Sequence, residues 1–291
     1  MGRLINAELF KLRKRFMTLL LGLILVGLLI FIYFVLYAIS NRTLPANAGA
    51  QAQASLQALK DALGLPFGIP FGLSIFPFLG GILSVIMVAS SAGNEYGWKT
   101  IRPMLVSSES RAEFLGAKLI ASLIFVLIGI LSTVVIGFLM SMITSAMGGN
   151  SLSLGFFTGS YAWDQFVQFW RVFYVVLPFV LMSFLFSIIG RSAMPGIAFG
   201  VGFLFLEPVL IDPLLRQASG WVSSIPDYLF NANVQVITNL GGSGEGFRFI
   251  GRGMSDTAAP TPLHAFIVLG IYSAVFIALS FYFFKKRDVT G

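Results

Sequence analysis

Six long apolar stretches dominate this sequence, and basic residues are concentrated at alternate boundaries between them. A helix that crosses the hydrocarbon core of a bilayer needs about 20 predominantly apolar residues. The six stretches meet this length at residues 17–39, 71–92, 119–144, 172–190, 193–211 and 263–284. The sequence therefore predicts an all-α integral membrane protein with six transmembrane helices, spans 1 to 6 in chain order.

The composition leaves no room for a large soluble domain. The chain is 57% hydrophobic and only 11% charged, whereas an ordinary soluble domain carries about 25% charged residues. We therefore expect residues 1–291 to form a single transmembrane domain. The absence of cysteine excludes disulfides and thiolate metal sites.

The distribution of positive charge predicts the orientation of the six spans. Most of the 19 basic residues fall on one side, and the richer side is expected to be cytoplasmic. Both termini are then cytoplasmic, in the inner membrane of a prokaryotic cell. The net charge of +7 reflects this orientation, so we expect no nucleic-acid partner. The richer side holds Arg3, Lys11, Arg13, Lys14, Arg15, Lys99, Arg102, Arg111, Lys118, Arg191, Lys285, Lys286 and Arg287.

Residues 1–16 have the spacing of an amphipathic helix. Apolar side chains recur at helical intervals, and the other positions are mostly basic. Such a helix lies in the cytoplasmic interface, on anionic lipid headgroups. The alternative is a basic flank that only orients span 1. The residues predicted to face the membrane interface are Lys11, Arg13, Lys14 and Arg15.

Two connections stand out between the spans. The cytoplasmic segment 93–118 mixes acidic and basic residues and is expected to contain one or two helical turns at Thr100–Val106 and a second short helix at Glu109–Lys118. The segment 212–262 forms a long extracytoplasmic loop. Its residues 221–240 carry apolar side chains among polar ones, which favours short helices on the outer surface.

Spans 2 and 5 contain residues that interrupt or tighten a helix. In span 2, Pro77, Gly80 and Gly81 indicate a kink, which either makes a flexible wall of a translocation path or permits close packing. In span 5, Glu207 and Pro208 lie in the outer half. An intramembrane carboxylate is a functional candidate. The alternative is that span 5 ends near Leu206 and that Glu207 and Asp212 both face the outside water.

The residues that enzymes and nucleotide-binding proteins need are missing. The segment 93–100 has glycines and a lysine, but not the spacing of a phosphate-binding loop. One histidine, His264, without a carboxylate cluster makes neither a zinc site nor a catalytic triad. We expect no enzyme activity and no cofactor in this chain, so that any ATP and Mg²⁺ belong to a partner subunit.

Four features, taken in order along the chain, resemble ABC-2 type permeases, the membrane subunits of ATP-driven exporters. They are the basic N-terminal helix before span 1, the charged loop between spans 2 and 3, the long outer loop before span 6 and the C-terminal ending. The motifs read Glu8-Leu-Phe-Lys11-Leu-Arg13-Lys14, then Glu95-Tyr96…Lys99-Thr100-Ile-Arg102…Leu105…Ser110-Arg111…Lys118, and finally Phe284-Lys-Lys-Arg287-Asp288-Val289.

The resemblance implies a coupling helix that docks on an ATP-binding subunit. It implies two copies of that ATPase and a second permease copy or a similar permease. The translocation path would lie between the permeases, along spans 2 and 5, and would export an amphipathic or hydrophobic peptide, drug or lipid-like molecule. The coupling residues would be Glu95, Tyr96, Lys99, Thr100, Arg102, Arg111 and Lys118, and the path or hinge residues Pro77, Gly80, Gly81, Glu207 and Pro208.

Two other classes of function stay open. An ion-coupled secondary transporter would depend on Glu207 and would work without an ATPase. A structural or signalling membrane protein would show no ATPase activity stimulated by a substrate with any partner.

Overall fold

The structure is a computed structural model that describes residues 1–42, 49–97, 110–148, 155–240 and 260–286. All secondary structure in these ranges is helical. The longer helices are α1 (Gly2–Lys14), α2 (Phe16–Ser40), α3 (Ala50–Leu63), α4 (Gly68–Gly97), α5 (Arg111–Met147), α6 (Gly159–Ile189) and α7 (Ala193–Leu206). A π-helical turn (Glu207–Ile211), α8 (Asp212–Arg216), a 3-10 helix (Gly220–Tyr228), α9 (Phe230–Asn239) and α10 (Pro262–Lys286) complete the described chain.

Six of the helical segments are long and apolar enough to cross a membrane, which confirms the prediction of a multi-pass helical protein. They are α2, α4, α5, α6, the segment Ala193–Arg216 and α10. Each contains the corresponding apolar stretch almost completely, and α5 and α6 are longer than predicted. α5 gains length because the Ser110 side chain accepts a hydrogen bond from the backbone N–H of Glu113 and caps its start.

Two helices form the centre of the bundle. Within their most apolar windows, 72% of α6 and 67% of α4 are buried, against 17% of α2 and of α10. α7 packs closely on this centre, since a Cβ atom at Gly200 would lie 2.5 Å from Val85 of α4. The outer helices direct apolar side chains away from the protein, as helices in contact with lipid do.

The helices alternate in direction and define two ends of the bundle. Tyr33 donates a hydrogen bond to the Gly68 carbonyl, whereas Arg15 contacts Glu95, so α2 and α4 are antiparallel. The α1 end of the bundle holds α1, the last turn of α4, the first turns of α5 and the turn between α6 and α7. At this end a Cβ atom on Gly93 would lie only 2.1 Å from the Ala193 amide nitrogen. The opposite end holds α3 and α9.

The segment 93–118 differs from the predicted loop. α4 continues to Gly97 and α5 begins at Arg111, so the residues at both ends of the segment are helical. The ion pair between Glu95 of α4 and Lys118 of α5 favours this extension. The short helix expected near 100–106 lies outside the described residues. In the segment 212–262, the predicted short helices are present as the 3-10 helix and α9.

Pro77 lies inside α4, which continues as one helix from Gly68 to Gly97. Gly80 lies against the ring of Phe76 in the same helix, because a Cβ atom there would lie 2.4 Å from that ring. At Gly81 a Cβ atom would lie 3.3 Å from Leu204 of α7. The missing side chain of Gly81 thus permits close packing of α4 on α7, and a role of Pro77 and Gly80 in a translocation path stays a prediction.

Candidate functional site

Five charged side chains meet at the α1 end of the bundle. They are Glu8 and Lys11 of α1, Arg15 between α1 and α2, Glu95 of α4 and Lys118 of α5; we call them the charge cluster. The Lys118 ammonium lies 2.8 Å from Glu95 Oε1 and 3.0 Å from Glu8 Oε2. Lys118 thus joins one carboxylate of α1 to one of α4.

The remaining cations complete the charge cluster from the side of α1. Lys11 pairs with Glu8 in the same helix and lies 3.8 Å from Glu95 Oε1. Arg15 Nη2 lies 3.3 Å from that same oxygen. Glu95 therefore receives cations from both sides, and α1, α4 and α5 are held together by one network.

The charge cluster is buried although its members are charged. Glu95 is 0% and Lys118 3% exposed. A buried ion is tolerated only where it is paired and hydrogen-bonded. Lys118 also donates to the Ser91 carbonyl at 3.4 Å, and its ammonium lies 5.3 Å from the centre of the Phe114 ring. These contacts replace part of the hydration that the ammonium has lost.

Glu8 shows the electrostatic consequence of this packing. Burial alone raises the pKa of its carboxyl, but the positive charge of Lys118 and hydrogen bonds from Lys11 and Lys118 outweigh that effect. The pKa of Glu8 consequently lies below its ordinary value of 4.5. The carboxylate is the stable form in the folded chain.

The seven predicted coupling residues fall into three groups. Glu95 and Lys118 are buried and pair within the chain, so their side chains hold helices together here rather than face a partner. Tyr96 is half-buried and Arg111 is exposed at the start of α5. Lys99, Thr100 and Arg102 lie outside the described residues.

The four residues predicted to face the membrane interface also fall into two groups. Arg13 and Lys14 are exposed on α1, as an interfacial position requires. Lys11 and Arg15 turn inward and join the charge cluster. The reason is that the buried carboxylates of Glu8 and Glu95 need cations.

A second polar group lies at the opposite end of the bundle. Glu207 is 1% exposed and accepts a hydrogen bond from the backbone N–H of Asn231, in the first turn of α9. Asp212 accepts hydrogen bonds from the Asn231 side chain at 2.8 Å and from Arg216 at 2.9 Å. Both carboxylates are buried, so the alternative in which Glu207 and Asp212 face water is wrong. Pro208 follows in the π-helical turn and is half-buried.

Through the hydrogen bond from the Asn231 N–H, Glu207 stabilises the start of α9. The first N–H groups of a helix have no partner within the helix, and a carboxylate stabilises them. Glu207 therefore fastens α9 to the end of α7. Among the described residues, no group of three or more His, Cys, Asp or Glu side chains is placed to bind a metal ion.

Sequence reasoning did not identify Glu8 as a cluster residue or Asn231 as the partner of Glu207. A signal for Glu8 was present, because it is the single acidic residue among residues 1–16 and stands three positions before Lys11. Asn231 gave no comparable signal, since it is one of many polar residues in a long connection.

The chain is similar to known proteins over most of its length. Residues 71–290 match a family described as "Protein of unknown function (DUF2705)". The chain belongs to this family. It is also similar to "Uncharacterized protein YhcI" of Bacillus subtilis (strain 168), with 24% identity over 224 residues. That match covers 74% of this chain and 66% of the relative, just under two thirds of its length.

The family match includes Glu95 and Lys118 but begins after α1. Neither description states an activity. The resemblance to ABC-2 type permeases is not tested by them and stays a prediction.

Proposed function

We propose that this chain is the permease subunit of an ATP-driven ABC-2 type exporter in the cytoplasmic membrane. The observation that carries the proposal is the charge cluster, which joins α1 to the end of α4 and the start of α5, the two helices that the segment 98–109 connects along the chain. A partner that moves this segment would move three helices together. That rigidity is what a subunit driven from outside the membrane requires.

The ATP-binding partner would contact the ends of α4 and α5 and the segment between them. Arg111 is exposed at the start of α5 and has the position of a docking residue. Glu95 and Lys118 would act indirectly, since they hold the helices whose ends the partner contacts. Two ATPase copies would bind ATP and Mg²⁺ and supply the energy.

A second permease copy would complete the translocation path. α4 and α7 share an outer surface on which Phe78 and Phe205 meet edge to face, with ring centres 5.1 Å apart. Phe205 is 41% exposed and Phe78 is half-buried. An apolar surface of this kind suits contact with a second copy and with an amphipathic or hydrophobic cargo.

The experiment is co-isolation of the tagged chain from its native membrane in mild detergent. We expect a soluble protein with a phosphate-binding loop to co-purify in equal amount, and Arg111→Glu to reduce its recovery. The matched control is Lys60→Glu, a charge reversal at an exposed position of α3 at the opposite end of the bundle. This variant should leave the recovery of the ATP-binding protein unchanged. A wild-type chain that purifies without any ATP-binding protein would contradict the proposal.

A second candidate is an ion-coupled secondary transporter. The burial of Glu207 favours it, together with its Oε2 atom, which accepts no hydrogen bond from the described residues. Transport by vesicles that contain this chain without any ATPase, abolished by Glu207→Gln, would establish the second candidate in place of the first.

A further inference from the structure

A cavity of about 410 Å³ lies beside the charge cluster, between the α1–α2 junction and the last turns of α4. Arg15, Thr18 and Leu21 line one wall, and Met87, Ser90 and Asn94 line the other. Its volume is within the range of small-ligand sites, about 300–1,000 Å³. Neither the proposed coupling to an ATPase nor the fastening of α9 uses this cavity.

The polarity of the cavity changes along its length. Arg15 and Asn94 lie at the α1 end of the bundle, where α1 meets α2 and where α4 ends. Leu21 and Met87 lie deeper, because α2 and α4 run away from that end in opposite chain directions. At 1.5 Å per residue, seven residues separate Asn94 from Met87 by about 10 Å. The charged Arg15 and the amide of Asn94 therefore lie at the α1 end of the cavity, together with Leu12 and Phe16, and we call this end polar; Leu21 and Met87 make the deeper end apolar.

The charge at the polar end favours an anion. The charge cluster contains three cations, Lys11, Arg15 and Lys118, against two carboxylates, Glu8 and Glu95. Arg13 and Lys14 add exposed positive charge on the adjacent turn of α1. Basic pockets between membrane helices attract anionic lipid headgroups for this reason.

The apolar surroundings favour a lipid. Two apolar side chains of α2 that line the cavity are also exposed on the outside of the protein, Phe16 at 77% and Met17 at 37% exposure. A phospholipid seated with its phosphate at the polar end would send one acyl chain into the cavity and the rest along this exposed part of α2.

We propose that this cavity binds a membrane phospholipid with an anionic headgroup, with its phosphate at Arg15 and Asn94 and an acyl chain against Leu21 and Met87. The site shares Arg15 with the charge cluster, but lipid binding does not depend on whether the chain is an exporter. Because α1, α2 and α4 all border it, the bound lipid would stabilise the N-terminal helix against the bundle.

The first test counts lipids that remain on the purified chain in native mass spectrometry. The probes are phosphatidylglycerol and, as the zwitterionic reference, phosphatidylcholine. We expect preferential retention of phosphatidylglycerol by the wild type. Thr18→Trp, which fills the cavity, should abolish the preference. Leu19→Trp, one position along on the exposed face, is the matched control and should keep it.

The charge of the site is tested by Arg15→Gln. A hydrogen bond to a charged group contributes about 1.5–3 kcal/mol, so the affinity for phosphatidylglycerol should fall about tenfold or more. The proposal would be overturned if Thr18→Trp and Leu19→Trp retained equal amounts of phosphatidylglycerol. It would also be overturned if the wild type retained phosphatidylglycerol and phosphatidylcholine equally. The thermal unfolding midpoint of the wild type is measured with phosphatidylglycerol and with inorganic phosphate alone. Equal stabilisation by the two would also overturn the proposal, because the site would then bind a free anion.

A further measurement uses the wild type alone, so that its result does not depend on whether a variant folds correctly. Phosphatidylglycerol with a photoreactive group in its acyl chain should label the peptides that contain Leu21 and Met87. Labelling confined to the outer faces of α2 and α10 would contradict a seated lipid.

Discussion

The ammonium of Lys118 lies 2.8 Å from Oε1 of Glu95, across the facing ends of α5 and α4. The pair is buried and holds together the helices that precede and follow the segment 98–109 in the chain. Since Lys118 also pairs with Glu8, the same contact fixes α1. Movement of one of these helix ends is therefore linked to movement of the other two.

Removal of the central cation should be costly. Lys118→Met leaves two buried carboxylates without their main partner, and breaking a buried ion pair on one side destabilises by about 3–5 kcal/mol. We expect a large drop in the thermal unfolding midpoint in detergent. The double variant Lys118→Met with Glu95→Gln should recover part of the loss. Lys60→Met is the exposed control, and a Lys118→Met midpoint equal to that of this control would contradict the assigned role.

Acid should weaken the attachment of α1. The pKa of Glu8 is lower in the folded chain than its ordinary 4.5, because Lys118 and Lys11 outweigh the effect of burial. Its contribution to stability is complete above the unfolded pKa and is lost as the pH falls through the lower folded pKa. The unfolding midpoint of wild type should therefore decline below about pH 4.5 more steeply than that of Glu8→Gln. Parallel pH profiles of the two proteins would show that Glu8 does not stabilise the fold.

Much of the fold follows from local pattern in the sequence. The apolar stretches predicted the six long helices, because length and hydropathy decide whether a helix suits a membrane. The partners within the charge cluster do not follow from such patterns. Glu8 and Lys118 are 110 residues apart, and their contact depends on how α1 folds back onto α5. Periodicity placed Lys11 and Arg15 on a membrane-facing helix, but packing turned both toward the buried carboxylates.

Glu207 should act as a helix cap rather than as a proton carrier under the exporter account. Glu207→Ala removes the acceptor of the Asn231 amide, and loss of a cap costs about 1 kcal/mol. Glu207→Gln keeps an acceptor oxygen. We expect faster hydrogen exchange of the backbone amides of α9 in Glu207→Ala than in Glu207→Gln, with transport intact in Glu207→Gln. Lost transport with unchanged exchange in Glu207→Gln would favour the secondary transporter.

The absence of cysteine makes the orientation directly measurable. Single cysteines at Arg111 and Lys286 should react with a membrane-impermeant maleimide only after the cells are opened, because the positive-inside rule places them in the cytoplasm. Cysteines at Lys60 and Trp221 should react in intact cells. All four positions are exposed, so a reversed pattern would have no explanation other than a reversed orientation.

The attachment of α1 to α4 and α5 by the charge cluster is tested most directly by spin-label distances. One pair of labels, at Arg13→Cys and Lys60→Cys, reports on α1 across α2, which is about 38 Å long at 1.5 Å per residue. A second pair, at Arg111→Cys and Lys60→Cys, reports on α5 and leaves α1 out. The account predicts a narrow distance distribution for both pairs in the native background. In Lys118→Met it predicts broadening of the first pair alone. An equally narrow first distribution in Lys118→Met would show that the charge cluster does not hold α1, and the proposed rigid unit would have to be abandoned.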